Sequence, residues 1–176
     1  LPGILTFPET IIIDKKPDTW NEILSFHKLC HLCVIERHGK NKDFAHGFIK
    51  NFNLKSGAVA SSVGHDAHNI IIAGLNEEDM KFALELINEY QGGIVIVNNG
   101  KLISKVELPI AGLLSDKKAH IVAKDNRLFK ENWNKSGCTL PYMGFNLLPL
   151  SVIPEIRLTN KGLVDVNKMK IIPLFQ

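Results

Sequence analysis

The sequence predicts an α+β fold: a mixed, largely antiparallel sheet in layers covered by helices, ending in an irregular proline-rich C-terminal segment. Three observations predict it. Strand patterns follow one another or pair as hairpins more often than they alternate with helices, in the order β, β, β-loop-β, α, hairpin, α. Asn98-Asn99-Gly100 separates the runs Ile94 to Val97 and Lys101 to Val106, and Asn-Gly supplies the positive φ angles of a type I′ turn. Met80, Ala83, Leu84, Ile87 and Tyr90 recur at helical spacing, as in an amphipathic helix.

In order along the chain, residues 1–18 carry three prolines and one apolar run, Thr10 to Ile13, and read as a connecting arm with an edge strand. Thr19 caps a short helix over Trp20 to Lys28, with Trp20, Ile23, Leu24 and His27 on one face. Leu29 to Ile35 reads as a buried strand that stops at the charged group Glu36-Arg37-His38. Gly47 to Phe52 alternates as a half-buried strand does. Asn76 is the N-cap of the clearest helix, with Asp79 at its third position in place of the usual Glu and with Glu77 and Glu78 at the positive end of its dipole. Gly92-Gly93 ends that helix. Asp116 is the expected cap of a second helix that runs to about Lys135 over Ala119, Val122, Leu128, Phe129 and Trp133, with a weak point at Asp125-Asn126. The tail from Thr139 intersperses Pro141, Pro149 and Pro154 among Tyr142, Met143, Phe145, Leu147 and Leu148, which excludes a long helix and predicts short turns against a core or a partner. Asn160-Lys161-Gly162 makes a turn, and Val164 to Val166 is the last expected strand.

Composition narrows the function classes. A chain of 176 residues, 45% hydrophobic and 22% charged, suits a soluble domain with a full core. The net charge is +3 and the lysines are dispersed, so there is no nucleic-acid footprint. No apolar run approaches membrane-spanning length, and no signal-peptide pattern opens the chain. An opening Leu1 is expected of a processed product or a piece of a longer protein. Three cysteines, an odd number, argue against a disulfide framework and for a reducing, cytoplasmic setting. Cys30 and Cys33 form a C-x-x-C, but on a strand such positions face opposite ways, so core thiols are expected.

The stretch with chemistry in it is Gly57 to Asn76. Ser61, Ser62, His65, Asp66, His68 and Asn69 place six hydrogen-bonding side chains within nine residues, between Ala58-Val59-Ala60 and Ile70-Ile71-Ile72. Such a cluster is costly unless it is solvated, mutually bonded or used. Two readings stand at this point: a turn whose Ser and Asn side chains cap backbone groups, or a site. His65, Asp66 and His68 lie too close together on one loop to make a usual metal set, since zinc sites draw ligands from separated segments. Arg37 and His38, at another strand end, are polar groups able to converge with them.

These residues carry a family resemblance. Val34-Ile35-Glu36-Arg37-His38, the run Gly57 to Ile70 with its Ser-Ser-Val-x-His-Asp-x-His-Asn core, Leu108 to Leu113 and Val152 to Val166 are similar, in order, to the C-terminal domain of bacterial and archaeal adenine deaminases of the amidohydrolase superfamily. The chain departs from that pattern at Ala67, where the family usually has Ser, and at Gly64, Asn53, Ser151 and Asn160.

The resemblance implies residues 19–176 as the domain and an N-terminal TIM-barrel domain as partner, absent from these residues. It implies manganese or iron held in that barrel and no cofactor in this part. The implied reaction is hydrolysis of adenine to hypoxanthine and ammonia, in a homo-oligomeric enzyme. By the same implication His65, Asp66 and His68 act in the pocket or around it, Arg37, His38, Ser61, Ser62 and Asn69 help to bind the purine, and this part is inactive alone. Two other readings remain: a purine-binding or assembly module that buries its Tyr142–Leu148 tail on a partner, and a zinc domain built on Cys30, Cys33 and Cys138.

Overall fold

In the computed structural model, which describes residues 5–13 and 19–175, the core is a six-stranded sheet with side chains packed on both faces. The elements are α1 (Trp20–His27), β1 (Leu29–Ile35), β2 (Phe44–Lys50), β3 (Ala58–Gly64), β4 (Asn69–Gly74), α2 (Glu77–Glu89), β5 (Gly93–Asn98), β6 (Lys101–Glu107), α3 (Ala119–Lys135), α4 (Tyr142–Asn146), β7 (Ile156–Thr159), β8 (Gly162–Asp165) and β9 (Lys170–Ile172). The strand order is β2-β1-β4-β3-β5-β6, with a second sheet β7-β8-β9. Every pairing of these strands is antiparallel, and one isolated parallel bridge joins Thr6 to Glu155. The α+β, antiparallel expectation holds.

Strand periodicity divides the core in two. Cys30, Leu32 and Val34 of β1, Val59 of β3, Ile71 and Ala73 of β4 and Ile94 and Ile96 of β5 face Phe129 and Trp133 of α3, Phe145 of α4 and Leu158 of β7. Ala58, Ala60, Ile70, Ile72, Val95 and Val97 face the other way, onto Ala83, Leu86 and Ile87 of α2. The three central strands are thus buried on both faces, which is why their sequences read as unbroken apolar runs. Cys30 and Cys33 fall on opposite faces, as strand geometry requires, so the zinc reading loses its chelate. Burial pushes both thiols up to about 11 and Cys138 to about 12.

The helix caps tie elements together. Asn76 Oδ1 accepts the Asp79 N–H at 2.7 Å, a bond of about 1 kcal/mol. The Asp79 carboxylate accepts from Gly100 N–H at 2.7 Å and Asn99 N–H at 3.1 Å, so it fastens α2 to the β5–β6 turn. That turn has φ of 51° at Asn99 and 67° at Gly100, both positive as type I′ requires.

Four expectations need correction. Thr10 to Ile13 forms no strand: Ile11 tucks against the Ile23-Leu24-Leu29 cluster while Ile12 points outward. Asp116 is not a cap. The Ile110–Leu114 bridge folds the preceding segment back, and α3 starts after Lys118 without a side-chain cap. α3 is continuous through Asp125-Asn126, and its Leu128 is exposed. The last strand is β9, not Val164 to Val166, because β8 begins at Gly162 and a further turn follows it.

The proline-broken tail closes on this chain's own core. Phe145 and Leu148 are buried, which removes them from the assembly reading. Arg157, 1% exposed, donates from Nε to the Ile153 carbonyl at 2.7 Å and from Nη2 to the Pro154 carbonyl at 3.1 Å. It solvates tail carbonyls that no helix or sheet satisfies.

Candidate functional site

One end of the six-stranded sheet gathers three segments: the exit of β1 at Glu36 to His38, the β3–β4 turn at His65 to His68, and the loop Leu108 to Leu114 after β6. β3 and β4 slip register between Ser61 and Gly64, which shapes the turn. His68 takes a positive φ of 51° there.

Bonds to this turn fall on its backbone. The Arg37 Nε–H donates to the His68 carbonyl, and its Nη2 donates to the Ala111 carbonyl at 2.8 Å. The guanidinium lies flat over Gly112, where an added Cβ would stand 2.7 Å from Cζ, so only glycine admits it. His38 Nε2 sits 2.7 Å from the Ala67 carbonyl, and since a carbonyl only accepts, that nitrogen carries the proton. The His65 N–H donates to the Asn146 carbonyl at 2.8 Å, anchoring the turn to α4.

Beneath the turn lie the two serines. Ser61 and Ser62 are inside β3 with no exposed surface, not in the loop. Ser62 Oγ donates to the Gly112 carbonyl at 2.6 Å and accepts the Gly93 N–H at 2.8 Å, joining β3 to β5 and to the 108–114 loop. Ser61 Oγ accepts the Val63 N–H at 3.1 Å. Both serines therefore hold backbone in place.

With the backbone held, the side chains of the turn are presented. Asp66 is exposed and His65 and His68 are half-buried, with their rings edge to face at 5.5 Å. His68 Nδ1 is buried with no hydrogen-bond partner. Burial holds the His68 pKa below its ordinary value, helped by the positive charge of His65 and Arg37 and opposed by Asp66. The shift favours the neutral imidazole of His68. Asn69 opens β4, is 4% exposed, and has its Oδ1 buried without a partner.

The structure therefore brings Arg37, His38, His65, Asp66, His68 and Asn69 to one sheet end and sends Ser61 and Ser62 into the core. Among the described residues, no group of three or more His, Cys, Asp or Glu side chains stands together to hold a metal ion. What the turn can do is donate, accept and shape: one carboxylate, two imidazoles and an amide on a fixed backbone. Sequence reading did not assign roles to Gly112, Ala111 and Asn146. The small pair Ala111-Gly112 after Pro109 was the available signal, since a guanidinium can lie that close only to glycine.

A family model described as the adenine deaminase C-terminal domain matches residues 10–170. Adenine deaminase 2 of Bradyrhizobium sp. (strain ORS 278) is 55% identical over 177 aligned positions, covering 100% of this chain and 29% of its own length. An adenine deaminase of Chelativorans sp. is also 55% identical with the same coverage. One from Clostridium botulinum is 44% identical over 144 positions, 81% of this chain and 24% of its own. The chain thus spans under a third of the length of these curated relatives.

Proposed function

Since the chain belongs to the adenine deaminase C-terminal domain family, we propose that it is the C-terminal part of a hydrolase that converts adenine and water to hypoxanthine and ammonia, and that its β3–β4 turn helps to form or close the purine pocket. One observation carries the reading. The braces on the turn grip His65 N–H, the Ala67 carbonyl and the His68 carbonyl, which leaves the His65, Asp66 and His68 side chains available at the sheet end. A loop held this firmly by its backbone is suited to positioning groups against a ligand.

In this reading the exposed Asp66 carboxylate offers an acceptor to the purine's N–H groups, and the half-buried rings of His65 and His68 shape the pocket beside it. Arg37, His38, Ser61 and Ser62 act through the turn by fixing it. Manganese or iron, in the same reading, would be held by the upstream barrel and would supply activation of the attacking water. In this reading the domain by itself lacks the nucleophile and is inactive alone. Residues 1–18, of which 1–4 and 14–18 lie outside the described residues, are in this reading the arm that joins the two parts of a cytoplasmic, homo-oligomeric enzyme.

The test is His65→Ala and Asp66→Ala in the full-length enzyme. The expected result is a fall in kcat/KM of about tenfold or more, about 1.4 kcal/mol of transition-state stabilisation. Unchanged turnover and substrate affinity in both variants would overturn the reading.

A further inference from the structure

The turn has a second side. Asp66, Ala67 and Asn69 line a groove of about 460 Å3 whose far wall is the β7–β9 sheet with the segment Pro149 to Val152. Its rim carries Val152, Met169 and Ile171, exposed by 72%, 89% and 60%. Met169 is the most exposed large apolar side chain among the described residues. Three such side chains around one concave surface form a patch of the kind that marks an interface. Asn69, lining the same groove, is 4% exposed and has its Oδ1 buried without a hydrogen-bond partner.

The N-terminal arm also arrives at this edge. The Thr6 carbonyl accepts the N–H of Glu155 at 3.0 Å and of Ile156 at 3.2 Å, which sets the arm beside the start of β7, close in sequence to Val152. This chain matches 29% of the length of the Bradyrhizobium relative, and it matches as a C-terminal domain, so the rest of that relative corresponds to sequence upstream of the arm.

We propose that the groove is the seat of the upstream domain of the same chain, an apolar segment of which covers Val152, Met169 and Ile171. The inference rests on reading this chain as one domain of a longer enzyme. It concerns which face is covered, not what the turn binds.

Lys161 is exposed on the groove wall, so its covering can be measured. In the full-length enzyme, amine acylation read by mass spectrometry should modify Lys161 at least about tenfold more slowly than Lys101, which is exposed at the opposite end of the sheet. Met169→Asp should bring Lys161 to within about threefold of Lys101, and dilution by about a hundredfold should leave the native protection unchanged. A smaller native difference overturns the proposal. So does a Met169→Asp variant that stays protected, or protection lost on dilution, which would mean a second copy covers the groove. Inactive His65 and Asp66 variants with a freely reactive Lys161 would sink docking alone. A protected Lys161 with fully active variants would sink the purine reading and leave docking standing.

Discussion

Ser62 Oγ lies 2.6 Å from the carbonyl oxygen of Gly112 and donates to it, while accepting the Gly93 N–H at 2.8 Å. One hydroxyl therefore satisfies two buried backbone groups from segments far apart in sequence. Ser62→Ala leaves both unmatched in a dry environment. The expected loss of stability is about 1–3 kcal/mol, read as a lower urea midpoint with an unchanged slope. A midpoint like that of the parent would show that the two backbone groups find other partners.

Arg37 spans two carbonyls, those of His68 and Ala111, with two edges of one planar group. Arg37→Lys keeps the charge and loses that reach. In the full-length enzyme, hydrogen exchange of peptides covering residues 64–70 should quicken by about tenfold, while global stability falls by no more than about 1–2 kcal/mol. Exchange at the parent rate would reduce the role of Arg37 to its charge.

Asp79 fastens α2 to the Asn99-Gly100 turn. Desolvation acts to raise its pKa, but bonds from Gly100 N–H, the Asn76 side chain and Asn99 N–H outweigh it and hold the carboxyl below its ordinary 3.8. The stability this gives is complete above about pH 4 and is lost as the pH falls through the folded-state pKa. Asp79→Ala should cost about 1–3 kcal/mol at pH 7, with turn amides Asn99 and Gly100 exchanging faster, and the cost should shrink in acid. A cost independent of pH down to about pH 2 would count against the carboxylate.

His31 and His46 share one hydrogen bond, with Nδ1 of the first 2.8 Å from Nε2 of the second. Burial lowers the pKa of both below 6.5. The charge of His31 lowers His46 further, and Glu77 works against the shift in each. As pH falls, the unfolded chain takes up these protons first. The pair's contribution is complete above about pH 6.5 and is lost between there and the lower folded-state values. Urea midpoints should fall between about pH 7 and pH 5, and His46→Gln should flatten that fall. An equal slope in the variant would assign the acid sensitivity to other groups, His68 among them.

Most of the fold was legible because its signals are local. The Asn99-Gly100 turn, the Asn76 cap and the α2 stripe each lie within a few residues of what they specify, and all three stand in the structure. Asp116 misled because the fold-back of Ile110 on Leu114 is a contact between loop segments, invisible to a capping rule. β9 was hidden because Lys170–Ile172 is only three residues long, too short for a periodic pattern, and becomes a strand only against β8. At the site, the identity of the polar turn was readable, as was its kinship to adenine deaminases.

The sequence by itself determined that a serine-, histidine- and aspartate-bearing bend sits between two apolar strands, because composition and periodicity are properties of neighbours along the chain. Only the tertiary structure decided that Ser61 and Ser62 turn inward while His65, Asp66 and His68 are presented. The groups that hold Ser62 are 31 and 50 positions away, and the guanidinium that holds the His68 carbonyl is 31 away. No local pattern specifies partners at that distance; the pairing of β3 with β5 and β4 with β1 brings them within bonding range.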